Sequence, residues 1–464
     1  MHSARRFLCA ALAAMLAGCS MVPDYERPAA PVPAAWPAAA VVKATAQPVA
    51  TEWWRRFGSG ELDSLMTEAM GANQNLAAAM ARIDQARANA RVAGAPLLPT
   101  LDGSGSSNRS YDDLYTTVNK RTGYQGLLTA NYEIDLWGKN AAGLQAADAA
   151  VTSSVFDRDT ILLVLQSDLA TTYFQILALR DRLQIARDNL AAAQGLLNLV
   201  QIQFEQGAAS ALDVARQKTA VASFAAQIPQ FEQQLLAAQT SLAILLGRAP
   251  GPDIAAARSL DTLSLPAIAP GQPSTLLERR PDIGRTEADL MGADADIGAA
   301  RAAFYPSITL SASVGIEGVA SGGASALASL VAGLVQPIFS AGRLEGELER
   351  TKARRIELAA NYRQTVLIAF KETIDALSAV NTSEAREALL RSAAESAAEA
   401  YRLADLNYRS GATDFLTVLD AQRTLLDSQD SLVQGELDRY TAATNLYKAL
   451  GGGWQLPQVA SAAL

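Results

Sequence analysis

The chain has 464 residues, half of them apolar, and a net charge of −8, which excludes a broad basic surface for nucleic acid. His2 is the only histidine, and Cys9 and Cys19 are the only cysteines. If the amino terminus is cleaved as a signal, the mature chain is left without Ser-His or Cys-His nucleophiles, Cys/His metal sites or disulfides. The remaining carboxylates, lysines and hydroxyls fall in no catalytic pattern, so the expectation is not an enzyme, with no cofactor and no metal.

The amino terminus, "MHSARRFLCAALAAMLAGCS", places Arg5-Arg6 before an apolar run from Phe7 to Ala17. That is the layout of a secretory signal peptide over residues 1–18, and the run is too short for a membrane span. Leu16-Ala17-Gly18-Cys19 resembles a bacterial lipoprotein signal, which implies lipidation, with palmitate among the acyl chains, at Cys19. Ser20, rather than Asp, after the cysteine is what lipoproteins sorted to the outer membrane show. The competing reading is an ordinary signal with an incidental cysteine. Residues 19–60 then form an extended amino-terminal segment.

The rest of the chain repeats one plan. "FEQGAASALDVARQKT" (204–219) returns as "YRSGATDFLTVLDAQR" (408–423), an offset of 204 residues. The same offset aligns "SLAILLG" with "NLYKALG" and Gly138-Lys139 with Gly342-Arg343. Pro99 and Pro306 align at 207. Repeat units of such length lie outside the short solenoid class.

Repeat 1 spans 61–247. A helix runs to Pro99, strands are predicted around 100–109 and 124–136, and a long helix follows from Lys139. Ile161, Leu165, Leu169, Tyr173 and Leu177 mark one face of that helix. Gly207 forms a tip, and a return helix interrupted by Pro229 ends at Gly247. A Pro-rich link occupies 248–273. Repeat 2 spans 274–451, with strands around 307–316 and 329–339, a long helix to Ser410, a tip at Gly411 and a return helix. A tail covers 452–464. The long helices have about 68 residues, or roughly 100 Å at 1.5 Å per residue.

"SITLSASVGI" alternates apolar and small polar residues without error, and "YQGLLTANYEIDLW" does so with Leu127 as the exception. Such segments suit membrane β-strands, although a soluble sandwich shares the pattern. The uncharged stretch 318–342 reads as a loop followed by a strand, since Gly, Ser and Pro337 oppose a membrane helix. Four strands per chain cannot close a barrel, because an open edge is not tolerated in lipid and barrels start at about 8 strands. Several copies must share one, and counting does not choose how many.

"CSMVPDYERP", "WWRRFGSGELDSLMTEA", "LLERRPDIGRTEADLMGADADIGAARAAFYPSITLSASVG" and "YRSGATDFLTVLDAQRTLLDSQ" resemble the TolC-like outer membrane factor family, in its lipoprotein branch of OprM/NodT type. The resemblance covers nearly the whole chain. It implies a mainly α fold with a membrane β-barrel, in which a homotrimer shares 12 strands above an α-helical tunnel in the periplasm. The amino-terminal segment, the link 248–273 and the tail would form an equatorial collar. It implies a passive channel of the cell outer membrane in a tripartite multidrug efflux system. Its partners would be a periplasmic adaptor (membrane fusion) protein, an inner-membrane pump of RND type, and outer membrane lipid through acylated Cys19. A type I protein secretion channel and a non-conducting structural lipoprotein are the alternatives.

The resemblance implies that the family's closed gate would fall on Leu416 and Asp420, with Arg423 in the surrounding contacts, and that the adaptor would meet the tips at Gly207, Ala208, Gly411 and Ala412. The spacing of Leu416, Asp420, Arg423 and Asp427 places them on one helical face, where an Asp420 ring around a symmetry axis favours cations. The competing reading is a solvated face on which Asp420, Arg423 and Asp427 pair.

Overall fold

The computed structural model describes residues 21–36, 49–114, 117–251, 259–320 and 322–455. The expected signal peptide, Cys19, most of the tail and part of the link lie outside the described residues. Helices α1 (Gly60–Ala72) and α2 (Gln74–Gly94) precede strands β1 (Thr100–Leu114) and β2 (Thr117–Ile134). Helices α3 (Lys139–Glu205) and α4 (Ala211–Leu245) complete the first round. The second round is α5 (Leu276–Arg279), α6 (Pro281–Ala302), β3 (Ser307–Val319), β4 (Ala324–Val335), α7 (Arg343–Arg409) and α8 (Phe415–Ala449). Both long helices have 67 residues and both return helices 35, so the two repeats match element for element.

Several boundaries differ from the sequence reading. Both hairpins are tighter: β2 begins at Thr117, ahead of 124, and β4 is Ala324–Val335, ending before Pro337. Where a loop was expected after residue 318, β3 runs to Val319 and β4 starts at Ala324. Pro229 does not interrupt α4, which runs through it as one helix. The expected first helix is broken at Asn73, whose carbonyl oxygen Oδ1 accepts from the amides of Asn75 and Leu76 at 2.9 and 3.1 Å and starts α2 afresh.

The chain divides into two compact units. The first takes in Met80–Phe156, Gly284–Gln364 and the described part of Met1–Ala29. Its centre is one antiparallel sheet of order β1-β2-β3-β4, in which β2 pairs with β3 and so joins the two repeats. The register puts Leu101, Ala130, Ala312 and Leu330 in one row across all four strands, with Leu128, Val314 and Ile316 close by on the same face. These large apolar side chains are exposed, Leu330 by 81% and Leu101 by 71%. The opposite face carries the row Asp102, Thr129, Ser313 and Ser329, where the last two hydroxyls hydrogen-bond at 2.8 Å. β1 and β4 are edge strands, each with one unpaired side.

The amino-terminal strap is pinned to this unit. Arg27 forms a two-point ion pair with Glu287 at 2.9 and 3.0 Å, and Arg301 donates to the Met21 carbonyl at 3.3 Å.

The second unit comprises the described parts of Ala30–Ala79, Asp157–Ile283 and Thr365–Leu464. Trp53, fully buried, stacks on Tyr447 at 4.8 Å, and Phe57 packs on Phe174 at 4.9 Å. Core packing therefore occupies Trp53 and Trp54 within the chain. A stretch of α3 is apolar enough to cross a membrane, but 56% of it is buried inside the fold, which marks a core helix.

The repeat recurs in the way helix ends are closed here. Gly247 and Gly451, both with positive φ, end α4 and α8 with the Schellman pattern, the next amide reaching back to Ala243 and Tyr447 respectively. Asn73 Nδ2 donates to the Leu245 carbonyl at 2.9 Å, and Arg280 Nη1 donates to the equivalent Ala449 carbonyl at 3.3 Å. Each helix break thus supplies the donor for a carbonyl left over at the end of a return helix. A β-carbon at Gly247 would overlap the Ala72 carbonyl, and one at Gly451 the Arg279 carbonyl.

Candidate functional site

The two hairpin tips of the second unit form the candidate site. α3 ends where Gly207 turns left-handed (φ 76°), with Gly207 N–H donating to Phe204 O and Ala208 N–H to Gln203 O. α7 ends identically, with Gly411 at φ 77°, Gly411 N–H to Tyr408 O and Ala412 N–H to Asn407 O. Nothing lies within 4 Å of a β-carbon built on either glycine. The positive φ, not crowding within the chain, is what calls for glycine at both tips.

The return helices start on different capping residues that do one job. Ser210 accepts from Asp213 N–H while the Asp213 carboxylate accepts from Ser210 N–H, a reciprocal capping box. At the second tip the Asp414 carboxylate accepts from the amide and hydroxyl of Thr417 at 2.9 and 2.7 Å. Those bonds, the hydroxyl's foremost, hold the carboxyl below the usual aspartate range. Asp414 is thus an N-cap, and its acidity in the later copy has a local structural reason.

Behind the tips all four long and return helices share one core. Leu196 and Val200 of α3, Phe224 of α4, Tyr408 of α7 and Phe415, Val418 and Leu419 of α8 belong to it. The Tyr408 hydroxyl donates to Gln203 Oε1 at 2.5 Å, so the ends of the two hairpins are tied together. Further along, Arg182 of α3 grips Asp430 of α8 at 2.6 and 3.0 Å while lying 4.6 Å over the Phe231 ring of α4.

On the other side of α8, Leu416 is half exposed, and Asp420, Arg423 and Asp427 are exposed in the same stripe. No ion pair joins Asp420, Arg423 or Asp427 to one another or to another described residue. The pairing that a solvated face would show is not formed. A leucine and two carboxylates with an arginine between them are left facing outward, without charge partners among the described residues. Among the described residues no three His, Cys, Asp or Glu side chains converge on a metal-sized site.

The sequence reading missed Tyr408–Gln203, Arg182–Asp430 and Gln422. The first two are long-range pairs with no local pattern to mark them. Gln422 lies four residues from both Val418 and Leu426, and that apolar spacing was a readable sign of burial.

The family model described as outer membrane efflux protein matches residues 65–248 and 272–452, once for each repeat. The chain belongs to the outer membrane efflux protein family. Among curated relatives of this family, the pyoverdine export outer membrane protein OpmQ of Pseudomonas aeruginosa is 39% identical over 452 residues, covering 95% of each chain. The probable efflux pump outer membrane protein TtgC of Pseudomonas putida is 34% identical over 458 residues, covering 96% of this chain and 95% of that one. Among solved structures, the outer-membrane channel OprN superposes with a TM-score of 0.86 at 28% identity, covering 94% of this chain and all of that chain. The open state of the Neisseria gonorrhoeae MtrE outer membrane channel gives 0.84 at 28% identity, covering 94% and 99%. The two-repeat helical fold with a four-stranded sheet is therefore the fold of outer membrane efflux channels.

Proposed function

We propose that this efflux protein is the outer membrane channel of a tripartite assembly, a homotrimer that passively conducts cargo handed on by a periplasmic adaptor and an inner-membrane pump of RND type. The observation that carries this is the sheet. One face is a column of exposed leucine, isoleucine and valine suited to lipid, and the other carries the row Thr129, Ser313 and Ser329, with Val331 and Val335 of β4 also exposed on it. Edge strands β1 and β4 must pair with other copies before the sheet can sit in a bilayer. Three copies give 12 strands.

The gate belongs to Leu416, Asp420 and Arg423, which stand exposed and without ion-pair partners among the described residues. Around a threefold axis, Asp420 forms a carboxylate ring one turn from a leucine ring, selecting cations at a narrow passage. The adaptor docks at Gly207, Ala208, Gly411 and Ala412, where the tips leave open space. Lipid attaches at Cys19. The Met21 carbonyl, two residues on, is held by Arg301 near the end of α6, just ahead of β3. Relatives named for pyoverdine export and for antibiotic or toluene efflux support small molecules as the cargo.

Native mass measurement in detergent, followed by single-channel recording in planar bilayers, tests the reading. The expected result is a trimer with a cation-preferring pore that Asp420→Ala opens wider and makes less selective. A monomer without conductance overturns the channel. Unchanged conductance and selectivity in the variant removes Asp420 from the gate.

A further inference from the structure

Gln422 of α8 is fully buried, and neither its Oε1 nor its Nε2 has a hydrogen-bond partner among the described residues. Its neighbours one turn away, Val418 and Leu426, belong to the core of the hairpin tips. Gln217 of α4, equally buried, gives the contrast: its Nε2 donates to the Ala193 carbonyl at 2.8 Å, leaving only Oε1 unpaired. Two buried glutamines of the second unit thus leave three polar atoms unmet, two of them on Gln422.

A buried amide without partners destabilises the arrangement that buries it, whereas an apolar side chain of similar volume does not. Asp420 and Gln422 are two residues apart and so lie about 200° apart around α8. A rotation of α8 about its own axis, relative to the helices it packs on, would move Asp420 and also take Gln422 out of its place in the core. We propose that Gln422 is a built-in counterweight: its unmet amide raises the free energy of the packed, closed tip and so sets how readily the tip opens. The inference rests on the gate reading above. Its physical content is a two-state tip in which the closed arrangement strands the amide and the open one exposes it to water.

Gln422→Met and Gln422→Leu, in the full-length protein reconstituted in planar bilayers, test it. Both substitutions keep the bulk and remove the unmet polar atoms. The expected result is an opening equilibrium about tenfold lower, equivalent to about 1.4 kcal/mol. Amide hydrogen exchange across 415–426 should slow by a similar factor. Wild-type protein and Asp420→Ala serve as controls. If the wild type conducts and Asp420→Ala alters its pore while both Gln422 variants open as often as the wild type, this inference fails and the gate stands. Slower exchange with unchanged opening also overturns it, because Gln422 then only weakens packing. If Asp420→Ala changes nothing, the gate itself fails.

Discussion

The acid at position 414 and the serine at 210 occupy equivalent places and cap equivalent helices, so chemistry differs between the tips while the local job does not. Replacing Asp414 by Ser should leave the start of α8 intact, and replacing it by Ala should fray it. Amide exchange at Phe415–Val418 reads the difference. The same bonds make the tip acid-sensitive. Hydrogen bonds from Thr417 favour the charged carboxylate, so its folded pKa lies below the ordinary value of 3.8. The contribution is complete above that value and is lost as pH falls through the depressed one. Asp414→Ser should abolish this acid step; a step that persists in the variant assigns it to another carboxylate. The glycines of both tips and their helix ends were legible because a left-handed cap has a strong residue preference. The burial of Gln422 was signalled by Val418 and Leu426 four residues to either side, but its lack of hydrogen-bond partners was not, because that depends on which groups distant helices bring to it.

At the level of the element, the repeat is carried as much by helix ends as by helix faces. The long helices and their stops could be read from the absence of proline and the placement of glycine. The break at Asn73 could not, because asparagine caps a helix only where the chain has a reason to bend, and that reason is the Leu245 carbonyl on a distant return helix. Pro229 misled in the opposite direction: proline lacks one donor, yet α4 runs on through it. Arg280 plays the part of Asn73 in the second repeat with a longer reach. Its buried guanidinium pairs with Asp282 at 3.0 and 2.7 Å and Glu372 at 2.7 Å, besides the Ala449 carbonyl. Arg280→Ala should lower stability by about 2–3 kcal/mol, since the interior Ala449 carbonyl loses its nearer donor and keeps only the Thr373 hydroxyl at 3.5 Å, while both carboxylates keep access to water. Arg280→Lys should recover little, because an ammonium cannot bridge three acceptors in one plane. Denaturant unfolding of the two variants checks this, and full recovery by lysine would reduce Arg280 to a point charge.

For the whole molecule, membrane insertion is the property no single repeat possesses. Each contributes two strands, the pairing of β2 with β3 joins the halves, and two edges remain. The alternation that made β3 readable follows from a sheet with lipid on one side; β1, "TLDGSGSSNRSYDDL", shows little of it because serine, glycine and aspartate dominate both faces. Neighbouring positions on β4 give the sharpest test. Leu330 lies in the apolar row with Leu101, and Ser329 in the hydroxyl row with Ser313. An arginine at 330 must enter hydrocarbon, at a cost of about 2–4 kcal/mol near the bilayer midplane, and a trimer would bear it three times. An arginine at 329 meets a water-filled lumen and should be tolerated, lowering cation conductance instead. Leu330→Arg should therefore cut the yield of folded trimer in the outer membrane, and Ser329→Arg should assemble normally with a changed current. The reverse pattern would mean that the sheet presents its hydroxyl face to lipid. Equal tolerance of both substitutions would place the sheet outside the bilayer, and with it the channel that three copies are proposed to enclose.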